Sequence, residues 1–275
     1  MTRFAKSLSI VLWAAAFSAW AAPQVTPDTS GIDTALGSAL QGSWREPANA
    51  ARDKYRHPKE TLEFFGLRPD MTVVQLWPGG GWYTEILAPV LKDHGQLIDA
   101  AVPPKGYGES DTTQAYLDKL KANPSVYGKV KVVDFAPSEK MNLGPEGSAD
   151  LVLTFRNLHN WQGMGELDHV FAAAFKVLKH GGIFGVVEHR AAAGKTVDQT
   201  FKSGYMPVDY VIQEAAKAGF KLAGQSEINA NPKDTKDYPK GVWTLPPTYT
   251  LGDKDRAKYA AIGESDRMTL KFVKP

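Results

Sequence analysis

Residues 71–91, MTVVQLWPGGGWYTEILAPVL, constrain the fold of this chain more than any other stretch. Val73–Trp77 is a short apolar run with the β-branched character of a buried strand. Pro78 and three consecutive glycines, Gly79, Gly80 and Gly81, break the run. A segment with Trp82, Ile86 and Leu87 on one helical face follows. Strand, glycine turn and helix in that order form a binding loop. Glycine lets the backbone turn sharply and approach a ligand closely, and the helix start offers unpaired N–H groups. An ordinary tight turn is the other reading of three glycines. Loops of this kind recur at the first strand–helix junction of doubly wound folds, so ligand binding is the expectation.

The alternation continues along the chain. Lys59–Phe65, with Pro58 before it and Gly66 after it, carries the start and stop signals of a helix. Strands are expected at Gly95–Val102, Lys129–Val133, Asp150–Phe155, Ile183–Val187, Phe220–Ser226 and Arg267–Lys274. Helical periodicity falls at Thr113–Ala122, Leu167–Leu178 and Val208–Ala218. Such alternation predicts an α/β domain with a mostly parallel sheet covered on both faces. It spans residues 48–275, with an irregular insert at 229–265 before the last strand. The Lys/Asp mix at 233–240 reads as a solvated loop, and its place in the insert also allows it to roof a pocket.

The first 21 residues read as a signal peptide. Arg3 and Lys6 precede an uncharged, mostly apolar run over Leu8–Trp20, and Ala19-Trp20-Ala21 offers small residues for cleavage. The mature protein is then expected to be exported, most simply to a periplasm, with residues 22–47 as an N-terminal arm holding one short helix at Ile32, Leu36 and Leu40. The whole chain has 32 basic and 30 acidic side chains. Loss of the leader brings these level, which removes any electrostatic reason to expect nucleic acid or a membrane surface as partner. There are no cysteines, so disulfides, thiolate nucleophiles and cysteine-based zinc sites are excluded.

Several ordered pieces carry a family resemblance. They are Gln75-Leu-Trp-Pro-Gly-Gly-Gly-Trp-Tyr83, Val133-Asp134, Ser148–Leu153 with Arg156–Trp161, Leu178-Lys-His-Gly-Gly182 and Ala218-Gly219-Phe220. In this order the chain resembles the class I S-adenosylmethionine-dependent methyltransferases, and within them a group of exported bacterial proteins. The resemblance implies a Rossmann-like, seven-stranded, mostly parallel sheet whose antiparallel last strand inserts beside strand five. It implies S-adenosyl-L-methionine as cofactor and assigns Gln75, Gly79, Gly80, Gly81, Asp99, Asp134 and Asn157 to its binding. Gly79 and Gly81 match the family loop. Trp77 stands where the first glycine belongs, and Gln75 where an acid belongs. Ala101 holds the place of the acid that grips the ribose, with Asp99 two residues earlier on the same strand face.

Three polar clusters follow strand ends, where ligands sit in parallel sheets. These are Asp134; Arg156, Asn157, His159 and Asn160; and Glu188, His189 and Arg190. His159 and Glu188 are the candidate bases for an acceptor hydroxyl or amine. A structural role is the alternative for His159, and surface ion pairing for His189 and Arg190. Trp82, Tyr83 and Trp161 read as packing residues. A metal held by His159, His189 and Glu188 is an alternative that no HExxH-like spacing supports, so no metal site is expected. Two functions are consistent with these residues. One is methyl transfer to a small-molecule acceptor. The other is ligand binding, or a different reaction, by an exported protein that has kept the fold and lost methyl transfer.

Overall fold

The computed structural model describes Met1 and residues 30–102, 110–136 and 140–275. Apart from Met1, the expected leader and its cleavage site lie outside the described residues. Seven strands form one sheet in the order β3-β2-β1-β4-β5-β7-β6. They are β1 Thr72–Leu76, β2 Gln96–Ala101, β3 Lys131–Asp134, β4 Ala149–Phe155, β5 Leu178–His189, β6 Lys221–Ser226 and β7 Arg267–Val273. The β1–β2, β2–β3, β1–β4 and β4–β5 pairs are parallel, and β7 lies antiparallel between β5 and β6. The order reverses between β1 and β4, which places a ligand crevice at their carboxyl ends.

The main helices are α1 Ser30–Leu40, α2 Pro58–Phe65, α3 Thr84–Leu91, α4 Ser110–Ala122, α5 Leu158–Met164, α6 Leu167–Val177, α7 Val208–Lys217 and α8 Arg256–Ile262. Two helical turns, Pro47–Ala50 and Asp53–Arg56, lie between α1 and α2. Side chains of a strand alternate between faces, and β1 distributes its residues accordingly. Val73 joins a core with Leu36, Leu62, Phe65, Ile86 and Leu87. Val74 and Leu76 join the opposite core with Leu158, Trp161, Phe171, Val211 and Phe220. Residues 73–76 are all buried, as expected of a central strand in a doubly covered sheet.

Three features differ from the sequence expectation. The arm at 22–47 is packed into the domain where it is described, with Leu36 of α1 buried against Leu62, Phe65 and Ile86 and the Trp44 indole donating to the Glu85 carbonyl at 2.8 Å. The insert at 229–265 contains α8, whose only deeply buried side chain, Tyr259, gives too little apolar periodicity to signal a helix. Asp234 in the supposed solvated loop is buried, accepting the Tyr205 hydroxyl at 2.9 Å and the Asp266 N–H at 2.7 Å. These bonds tie the insert to the start of β7.

Candidate functional site

The carboxyl ends of β1, β4 and β5 open into a cavity of about 450 Å³. Its floor is the glycine loop. Gly79 takes φ +57°, and a Cβ placed at Gly79 or Gly80 would meet nothing within 4 Å, so the loop backbone is open to a ligand. Gly81 differs, because a Cβ there would lie 2.8 Å from the Tyr116 ring. Gly81 is therefore a packing glycine. Trp77 replaces the expected first glycine yet keeps a left-handed φ of +46°. That backbone is strained for a bulky residue. It is held by the indole, which donates to the Phe135 carbonyl at 3.0 Å across the end of β2 and packs edge-on against Trp161. Asn157, after β4, donates its amide to the Leu76 and Trp77 carbonyls at 3.1 and 3.4 Å, which clamps the loop to the neighbouring strand.

Gln75, Gly79, Gly80, Asn157 and His159 all line this cavity. Three expected cofactor residues do not: Asp99, Asp134 and Gly81, the last of which packs on Tyr116. Asp99 is paired with Gln75 in the sheet register and is fully buried, because β2 runs on to Ala101. Its carboxyl accepts the Thr84 hydroxyl at 3.0 Å and the Tyr116 hydroxyl. Asp134 is exposed and pairs with Lys140 at 2.8 Å. Asp99 could replace the missing acid only if β2 ended early, and β2 runs two residues beyond it; Asp134 is the last residue of β3.

Burial raises the Asp99 carboxyl to about 7 against the opposing hydrogen bonds from Tyr116 and Thr84. A raised folded pKa means that Asp99 favours the folded state fully below pH ~4. That contribution is lost as pH climbs towards 7, a change of a few kcal/mol on the order given by proton linkage. Urea unfolding of wild type and Asp99→Asn across pH 4–8 is expected to show this slope in the wild type and its loss in the variant. Parallel pH profiles would contradict the assignment.

His159 and Glu188 are brought together. Glu188 is fully buried at the end of β5. One oxygen accepts the Leu158 N–H at 2.6 Å; the other accepts the His189 N–H at 2.7 Å and contacts His159 Nδ1 at 3.1 Å. With Nδ1 held by a carboxylate, His159 presents Nε2 to the cavity. His189 contacts the Ser265 hydroxyl through Nδ1 at 2.5 Å, and it joins the cavity wall rather than a surface ion pair. Burial pushes its pKa well below the usual value, helped by His159 and Arg156. Arg190 does form ion pairs, with Glu227 and Asp266. Trp161 is buried in the core, and Tyr83 stacks on Phe155 at 3.5 Å; Trp82 and Tyr83 also line the cavity.

His159, Glu188 and His189 place candidate metal-ligating atoms within 4.8 Å of one another. Both Glu188 oxygens are already hydrogen-bonded, and the imidazoles are engaged at Nδ1 by Glu188 and Ser265, which leaves Nε2 of each ring for a further partner.

Sequence reasoning did not find the opposite wall. Arg52 and Arg56 come from the helical turn before α2, Arg267 from β7, and all three converge on Glu264 at 2.6, 3.2 and 3.2 Å. Burial opposes ionisation of Glu264, but Arg56, Arg267, Arg156 and Arg52 outweigh it and hold the carboxyl at about 2. Arg56 also lies over the Trp82 ring at 4.6 Å. The four-residue spacing of Arg52 and Arg56 on a helical turn was the one available signal, and it is common on solvated helices. Trp243, Pro246 and Pro247 complete the wall; they lie further along the insert than residues 233–240, none of which lines the cavity.

No protein-family model and no curated protein matches the sequence. Solved structures do match the fold. A SAM-dependent methyltransferase from Aquifex aeolicus superposes with TM-score 0.56 at 14% identity, covering 90% of this chain and 99% of its own. The [4+2]-cyclase SpnF gives 0.57 at 18% identity, covering 90% and 94%. A putative sarcosine dimethylglycine methyltransferase from Galdieria sulphuraria gives 0.56 at 13% identity, covering 88% and 98%. With its inserted antiparallel β7 and its crevice at the β1–β4 reversal, this chain has the fold of the class I SAM-dependent methyltransferases.

Proposed function

We propose that the protein is an S-adenosylmethionine-dependent methyltransferase acting on a small-molecule acceptor in an exported compartment. The observation that carries this reading is the open Gly79–Gly80 backbone on the floor of a cavity at the carboxyl ends of β1 and β4. A cavity of that size accommodates one nucleoside-sized ligand beside a small acceptor. When bound, the cofactor supplies a methyl group on a positively charged sulfur. Gln75, Gly79, Gly80 and Asn157 hold it in this reading, with Gln75 offering an amide where the fold's relatives place charge. Asp99 and Asp134 take no part from where they stand.

His159 accepts the acceptor's proton at Nε2. Glu188 is a positioning residue, because its carboxylate fixes the ring through Nδ1 and is itself held by two backbone N–H groups. Trp243, Pro246 and Pro247 exclude water from the roof, and the cavity aligns the two partners for displacement. The cyclase on this same fold shows that the fold alone does not choose the reaction. The test is thermal unfolding of the purified protein with millimolar S-adenosylmethionine or its demethylated product. A ligand that binds only the folded state raises the midpoint, by a few kcal/mol of stability at a hundredfold excess over Kd. No shift with either compound contradicts the proposal.

A further inference from the structure

We propose that the cavity holds an oxyanion, a carboxylate or phosphate group of the acceptor, on the guanidinium of Arg156 with Arg56 and Arg52 behind it. This deepens the methyltransferase reading and takes from it only the identification of the anion as part of the acceptor. The case starts from an imbalance of charge. Four arginines, Arg52, Arg56, Arg156 and Arg267, bear on one carboxylate, Glu264. Three of them share that carboxylate in ion pairs. The fourth does not. Arg156 lines the cavity and, among the described residues, its side chain enters none of these ion pairs.

The shared pairing is also incomplete. Arg56 is 1% exposed, yet Nη1 and Nη2 have no hydrogen-bond partner, and neither does the buried Nη2 of Arg52. Buried N–H groups left unpaired are costly, and charged ones more so. A second anion entering the cavity would offset that cost. Burial, with Arg267 and Arg52 nearby, lowers the Arg156 pKa to about 10, which still leaves it charged at neutral pH. Arg156 also stands on a left-handed backbone, φ +63°, immediately after β4. Strain of this kind persists where surrounding structure holds a residue for use.

The guanidinium fork matches the paired oxygens of a carboxylate or a phosphate, and it is the planar, permanently charged group suited to bidentate capture. The same four positive charges disfavour a divalent cation at His159 and His189, whose Nδ1 atoms are already engaged by Glu188 and Ser265. An anion on Arg156 would set the rest of the acceptor beside His159, three residues along the chain.

The experiment titrates inorganic phosphate and succinate, each against sodium chloride at matched ionic strength, into the full protein. Arg156→Asn is the main variant, because asparagine tolerates a left-handed backbone, and Arg156→Met is the second. Thermal stabilisation by the demethylated cofactor product is read on the same samples. Saturable binding of either anion, weakened about tenfold or more in both variants, supports the proposal. Binding of phosphate alone points to a phosphate ester, and of succinate alone to a carboxylate. No saturable binding, or binding that ignores Arg156, overturns it. Arg156-dependent anion binding without any response to the cofactor product would leave the anion site standing and remove the methyltransferase reading.

Discussion

Glu264→Gln is expected to destabilise the protein by about 3–5 kcal/mol, the usual cost of removing one partner from a buried ion pair. Glu264 is 3% exposed and is the shared carboxylate of Arg52, Arg56 and Arg267. An amide can accept one of those N–H groups but cannot neutralise any of the charges. The four guanidinium groups would then face one another in a buried wall without a compensating anion. Urea unfolding at low ionic strength measures the loss. Phosphate is expected to restore more stability to the variant than to the wild type, because it supplies the missing negative charge. A loss under 1 kcal/mol would mean that water, rather than Glu264, balances this wall.

Glu188→Leu is expected to cost about 2–5 kcal/mol, and for a different reason. No large charge imbalance is created here. What is lost is the acceptor of the Leu158 and His189 backbone N–H groups, each worth about 1–3 kcal/mol when left buried and unpaired. Glu188→Gln keeps one acceptor oxygen and is expected to lose less than Glu188→Leu. In both variants the His159 ring loses its charged partner at Nδ1, so its tautomer becomes mixed by nitrogen NMR. Equal stability of Glu188→Leu and wild type would contradict the role assigned to this carboxylate.

The sheet was legible in the sequence because its strands alternate with helices and are punctuated by glycine and proline. Val73 and Val74, feeding opposite cores, are the clearest instance. The antiparallel β7 came from the family resemblance and not from periodicity. The site was legible in part. His159 follows β4 and Glu188 lies at the end of β5, and the parallel pairing of the two strands brings them into contact. Asp99 stays inside the sheet because β2 runs on past it, a length that the sequence does not set, and Asp134 ends β3 paired with Lys140. The arginine wall was illegible. Arg52 and Arg56 lie 212 and 208 residues from Glu264, and no local pattern distinguishes them from ordinary surface charges. Trp77 in place of a glycine reads as a departure in the sequence, whereas the fold preserves the left-handed backbone that a glycine would have taken.

The central claim is that the loop at Gly79–Gly80 holds the cofactor. Gly80 has ordinary backbone angles and open space around a Cβ, so Gly80→Val is expected to fold like wild type while projecting a side chain into the cavity floor. Calorimetric titration of the demethylated cofactor product into both proteins is the most direct measurement. The account predicts one saturable site on the wild type, weakened about tenfold or more in Gly80→Val. Equal binding by the two proteins, or none by the folded wild type, would contradict it.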